Sequence, residues 1–142
     1  MSTYIPPLRD YRFLIEEVLR IDELSPTLPE HGHVDSELIR STLEAGARLI
    51  TEKLEPLNEP GDSVGCQLTP KGVKAPPGFV EAYAEFQSGG WPSLTIPAYL
   101  GGQGFPGAAG VLFNEMVDSV NMAFGIYSNV REGVLNCIEL FG

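Results

Sequence analysis

The sequence predicts an all-α fold, an orthogonal or up-down bundle of about five helices joined by long Gly- and Pro-rich loops. Three observations point there. Apolar residues recur at three- and four-residue spacing in successive stretches of the chain. No stretch alternates apolar and polar residues convincingly enough to read as a strand. The 16 glycines and 12 prolines must sit in connections if the remainder is helical, so long articulated loops follow. At 142 residues the chain is long enough for one domain with a real core.

The first helix is read from Tyr11, Leu14, Ile15 and Val18 after a Pro6-Pro7 lead-in, with Arg12, Glu16 and Arg20 on the opposite face. Ser25-Pro26-Thr27-Leu28-Pro29 ends it and begins a loop carrying His31 and His33. Asp35 is placed to cap a second helix, with Glu37 in its first turn where negative charge suits the helix dipole. Ile39, Leu43, Gly46, Ile50, Leu54 and Leu57 follow at helical spacing, and Pro56 falls where the helix must stop. This is expected to be the longest element, with Gly46 marking a tight helix crossing.

From Asn58 to Gly78 the composition turns to Gly, Pro, Asp and Lys, which predicts a loop. Phe79, Ala82, Tyr83 and Phe86 give a third helix stopped by Gly89-Gly90, and Trp91-Pro92 and Ile96-Pro97 bracket a short extended piece. A glycine-dense turn follows, with Gly101, Gly102, Gly104, Pro106 and Gly107. Its backbone is expected to be exposed and flexible. It leads into a fourth helix with Leu112, Phe113, Met116, Val117 and Val120 on one side and Asn114, Glu115, Asp118 and Asn121 on the other. A bend of bare backbone opening onto an apolar helix suits a pocket rim with the helix as its wall. Ile126, Val130, Val134, Cys137, Ile138 and Phe141 describe a last helix whose apolar stripe runs to the end of the chain. The expectation is therefore an N-terminal piece of a longer protein, divided into an extension with a short helix over 1–34 and a helical domain over 35–142.

The formal net charge of −10, with nine scattered cations, argues against nucleic acid as a partner, because phosphate-backbone affinity needs clustered Lys and Arg. Cys66 and Cys137 lack any Cys-x-x-Cys partner and are read as reduced thiols in a cytoplasmic protein, a Cys66–Cys137 disulfide being the alternative. The N-terminus has no basic start followed by an apolar run, so a secretory leader is not expected. The longest uninterrupted apolar run, Ala108 to Phe113, is far short of a membrane span.

Gly102-Gln103-Gly104-Phe105-Pro106-Gly107 matches the dinucleotide-binding G-x-G-x-x-G pattern, but prolines interrupt the preceding segment and no strand leads into it. No lysine follows the glycines, so a phosphate loop of the Walker type fails too. His31, His33 and Glu30 do not complete a metal site, and solvated loop histidines are the expectation. Glu115 and Asp118 could do acid–base work, yet carboxylates one turn apart on a helix are usually solvated. No Ser, His and Asp grouping suggests a nucleophile. On residues alone this is a helical module with a pocket-forming loop and no catalytic residue of its own.

Five patches then carry a likeness. They are Pro7-Leu8-Arg9-Asp10 with Arg12-Phe13; Pro56-Leu57-Asn58 with Gly61-Asp62 and Gly65-Cys66; Gly89-Gly90-Trp91-Pro92; Tyr99 to Gly104 ahead of Pro106; and Glu115-Met116 with Ser119, Asn121, Phe124-Gly125 and Tyr127. In this order they resemble the N-terminal helical domain of the flavin-dependent acyl-CoA dehydrogenases, in detail the 3-methylmercaptopropionyl-CoA dehydrogenase-like branch. In that family a glutamate takes the α-proton of an acyl-CoA thioester and the FAD flavin takes the β-hydride. The resemblance implies that Gly101, Gly102 and Gly104 shape the loop beside the substrate, and that Met116, Val117, Val120 and Phe124 line the acyl tail. It also implies that the catalytic glutamate and most flavin contacts lie in downstream domains, so this chain alone retains no FAD. The complete enzyme would be a homo-oligomer acting on acyl-CoA, with chain-length preference and electron acceptor left open. The competing class is a stand-alone helical interaction module without enzymatic activity.

Overall fold

The computed structural model describes residues 4–142, apart from the side chains of residues 131, 132, 136 and 139. Its helices are α1 (Leu8–Phe13), α2 (Ile21–Leu24), α3 (Ser36–Leu49), α4 (Asn58–Val64), α5 (Phe79–Ser88) and α6 (Gly107–Phe141). A small antiparallel hairpin of β1 (Gln67–Thr69) and β2 (Gly72–Lys74) pairs Leu68 with Val73. The all-α expectation holds. None of the described helices is long and apolar enough to cross a membrane.

The first helical pattern is interrupted rather than continuous. After α1 the backbone widens over Leu14–Val18, where the Leu19 N–H reaches the Leu14 carbonyl at 2.8 Å. Arg20 then turns the chain in the left-handed region at φ 50, so that α2 starts on the buried Ile21. A β-carbon in that region costs free energy, and burying the isoleucine offsets it.

Helix α3 begins as its sequence dictates. The Asp35 carboxylate accepts the Leu38 N–H at 2.7 Å. Asp22 of α2 accepts a second amide, from Ser36 at 2.8 Å, and the Ser36 hydroxyl at 2.6 Å. Two of the donors that a helix start leaves unpaired are therefore satisfied by acids. Ile39, Leu43, Ile50 and Leu54 are buried. The crossing expected at Gly46 is present, because a β-carbon there would meet the Phe113 ring at 2.8 Å.

Three expectations fail. The stretch from Asn58 to Gly78 is not all loop, since α3 continues through a π-helical turn at Ile50–Leu54 and a 3-10 turn at Glu55–Leu57 into α4, and the hairpin follows. Pro56 and Pro60 sit in first turns, where a missing N–H costs nothing. Strands of three residues are also too short for alternation to register. The second failure is that α6, at 35 residues, outruns α3. The two helices expected over this stretch form one long element bent at Asn121, whose φ −156 and ψ 82 are not helical. The piece expected to be extended between Trp91 and Pro97 instead carries tight turns at Trp91–Ser93 and, just beyond, Ala98–Leu100.

The core joins α1, α2, α3, α5 and the first part of α6. Tyr11, Ile15, Ile21 and Val34 pack with the α3 residues, with Phe86 of α5, and with Phe113, Met116, Val117 and Phe124 of α6. Trp91 stacks on Phe113 at 4.8 Å and 7°. Beyond Phe124 helix α6 leaves this core, and Ile126, Tyr127, Val130, Val134, Ile138 and Phe141 stand exposed.

Candidate functional site

The glycine bend is built by residues that only glycine can replace. Gly101 and Gly104 have φ of +82 and +66, and a β-carbon on Gly102 would be driven into the Ile96 carbonyl. The bend is only partly exposed, since Gly101, Gln103 and Gly107 are open while Gly104, Phe105 and Pro106 are buried. Every backbone N–H from Leu100 to Phe105 is hydrogen-bonded, Gln103 to Ser93, Gly104 to Ile96 and Phe105 to Leu94 among them, at 2.9–3.0 Å. The carbonyl edge is held as well. His31 Nδ1 lies 2.9 Å from the Gly104 oxygen and His33 Nε2 lies 3.1 Å from that of Gln103. The expectation of solvated histidines holds for the exposed His33, while His31 is half-buried, and the fold brings both across about 70 residues of sequence onto this bend. From Leu100 to Phe105 the bend therefore has no uncommitted amide to offer a phosphate.

Of the residues implied for the acyl tail, Met116, Val117 and Val120 are packed inside the core, at 0%, 1% and 5% exposure. Phe124 is also buried, but its ring borders a cavity of about 540 Å³ between α5, the hairpin and the second part of α6. Cys66, Val73, Phe79, Tyr83 and Tyr127 complete most of that lining. Tyr83 meets the edge of Tyr127 at 5.0 Å, and Phe79 and Tyr83 lie 6.3 and 6.1 Å from Phe124. Such walls suit an apolar ligand, because aromatic faces bury large area and offer few polar groups.

The structure does not bring all the expected site residues together. Gly107 and Phe124 are separated by about 25 Å of helix at 1.5 Å per residue, so the glycines stand at one end of this part of α6 and the cavity at the other. The sequence shows Phe79 and Tyr83 only as a helix face, and Tyr127 only within the likeness. The signal that could have found them is their spacing, since Phe79 and Tyr83 lie one turn apart on α5 and both meet Phe124 of α6.

The bend in α6 explains where the cavity lies. Asn121 is 1% exposed. Its Nδ2 donates to the Leu54 carbonyl at 3.2 Å, and its Oδ1 accepts the Phe124 N–H at 3.1 Å. The side chain thus caps a fresh helical segment that starts beside Phe124. Nearby, Asp118 is half-buried against Gly125, and burial raises its pKa. Neither Asp118 nor the exposed Glu115 lines the cavity. Among the described residues no three His, Cys, Asp or Glu side chains come together to hold a metal. Cys66 and Cys137 are exposed thiols, not joined to each other.

No family model matches the chain. Over 140 residues, 99% of its length, it is 32% identical to a 3-methylmercaptopropionyl-CoA dehydrogenase of Ruegeria pomeroyi, and it spans 24% of that relative. The agreement runs end to end through the helices that build the bend and the cavity. By sequence the chain is similar to an acyl-CoA dehydrogenase over nearly its whole length, and its all-helical fold agrees with a helical part of such an enzyme.

Proposed function

We propose that the chain is the N-terminal helical part of an FAD-dependent acyl-CoA dehydrogenase, with residues 35–142 as its helical domain and 1–34 as an N-terminal extension with a short helix. In this reading it supplies one wall of the pocket for an acyl-CoA thioester and is inactive without the remaining domains. The complete protein would be a cytoplasmic homo-oligomer. The observation that carries the reading is the aromatic-lined cavity at Phe124, seated within a chain that matches the relative over 99% of its length. Met116, Val117 and Val120 back this wall from the core, and Gly101, Gly102 and Gly104 shape the bend that starts α6.

The residues here do not fit FAD by themselves. The G-x-G-x-x-G stretch has its Gly102 to Phe105 amides hydrogen-bonded, and no Lys or Arg occurs in sequence between Lys74 and Arg131. The flavin and the proton-abstracting glutamate are assigned to other domains. What this chain contributes is an apolar surface that accepts an acyl tail and keeps water from it.

Two measurements test the proposal. The purified chain mixed with FAD is expected to lose all yellow colour on gel filtration, and retention of the flavin would overturn the division of labour. In the longer enzyme, Ala123→Trp fills the cavity and is expected to raise KM for acyl-CoA roughly tenfold or more with flavin content unchanged. An unchanged KM would remove the cavity from the substrate site.

A further inference from the structure

We propose that His31 and His33 are positioning residues that clamp the glycine bend, each locked in the opposite tautomer to the other. The Gly104 and Gln103 oxygens are carbonyls and can only accept, so each ring must present an N–H to its partner. His31 therefore carries its proton on Nδ1 and His33 on Nε2. The bend has its N–H edge tied to the Ser93–Pro97 segment, and its carbonyl edge would face solvent without the two rings. Gly104 adds a steric half to the clamp. Its missing β-carbon would lie 3.1 Å from His33 Cε1, so the ring closes over a position that only a glycine at φ +66 leaves open.

The two bonds span 73 and 70 residues and fasten the segment before α3 to the start of α6, elements that sequence alone leaves unrelated. What remains presented is the tip of the bend at Tyr99, Leu100 and Gly101, all exposed. The clamp thus fixes where that tip stands relative to the core. The inference is independent of the enzymatic reading above, because it is measured in the 142-residue chain itself.

The chain has only two histidines, so long-range ¹H–¹⁵N spectra resolve both rings. The expected result is a dominant Nδ1–H form for His31 and Nε2–H for His33. A dominant Nε2–H form at His31, the usual preference of a solvated ring, would overturn the clamp. Hydrogen exchange gives the second readout, at the amides of Gln103, Gly104 and Phe105. The H31A/H33A pair should speed exchange there about tenfold or more while leaving the α3 amides unchanged. His31→Asn places an N–H where Nδ1 was and His33→Gln places one where Nε2 was, so this pair should restore slow exchange. Unchanged exchange in the alanine pair, or no recovery in the amide pair, would refute the positioning role.

Discussion

Asn121 faces two buried backbone groups with opposite needs, the Leu54 carbonyl and the Phe124 N–H, and its amide meets both. Alanine there leaves a donor and an acceptor without partners, which costs about 1–3 kcal/mol each in the worst case. Asn121→Ala is therefore expected to lower the urea midpoint markedly, and Asn121→Asp to do so further, since a carboxylate would oppose the Leu54 oxygen. Gly46 sets two magnitudes against each other. Alanine gains about 1 kcal/mol of helix propensity but must displace the Phe113 ring, stacked in turn on Trp91, at an overpacking cost of about 1–3 kcal/mol. The clash should win, and Gly46→Ala should unfold at lower denaturant than the parent. Tyr11 is the reverse case. Its hydroxyl is buried without a hydrogen-bond partner, and although Tyr4 and Glu115 lie near enough to add to the effect of burial on its pKa, neither is in bonding geometry. Tyr11→Phe should be neutral or stabilising by up to about 1 kcal/mol in the same urea titration. At this scale the sequence was read well for Gly46 and Asp35, whose roles follow from spacing, and poorly for the histidines, whose partners lie about 70 residues away.

At the scale of elements, α3 and α6 respond to acid in opposite directions. Ser36 donates twice to Asp22 and holds its carboxyl below the ordinary 3.8, so the native state binds fewer protons than the unfolded chain below that pH. The stability this adds to the start of α3 is full above about pH 4 and is lost as pH falls through the lower folded value. Asp118 in α6 has its pKa raised by burial, so between 3.8 and its folded value the native state binds more protons. Stability there rises as pH falls through that window, and at neutral pH the ionised carboxylate is a net cost. Asp118→Asn is thus expected to match or exceed the parent in melting temperature at pH 7, with the difference vanishing below pH 4. Asp22→Asn should instead melt lower at pH 7 and converge with the parent in acid. The caps and the helix faces were legible from residue order. The break inside α6 was legible only as a gap between two apolar patterns, because φ and ψ at Asn121 are fixed by a carbonyl from another helix.

Across the whole molecule, a charge of −10 opposes association while the exposed stripe of Ile126, Val130, Val134, Ile138 and Phe141 favours it. Salt screens the first effect within about 10 Å at 0.1 M and leaves the second intact. Sedimentation should therefore show the isolated chain shifting from monomer to larger species as salt rises, and Val130→Glu with Ile138→Lys should abolish the shift. A mass that stays monomeric in the parent at every salt concentration would contradict this. The all-helical class, the Asp35 cap, the Gly46 crossing and the kinship with acyl-CoA dehydrogenases were all determined by the sequence, because each depends on spacing or residue type within a local stretch. Which apolar residues face a cavity and which fill the core was decided only in three dimensions. Met116 and Phe124 carry the same hydrophobic signal in one dimension, and only the packing of α5 and the hairpin against the bend at Asn121 separates a buried side chain from a cavity wall.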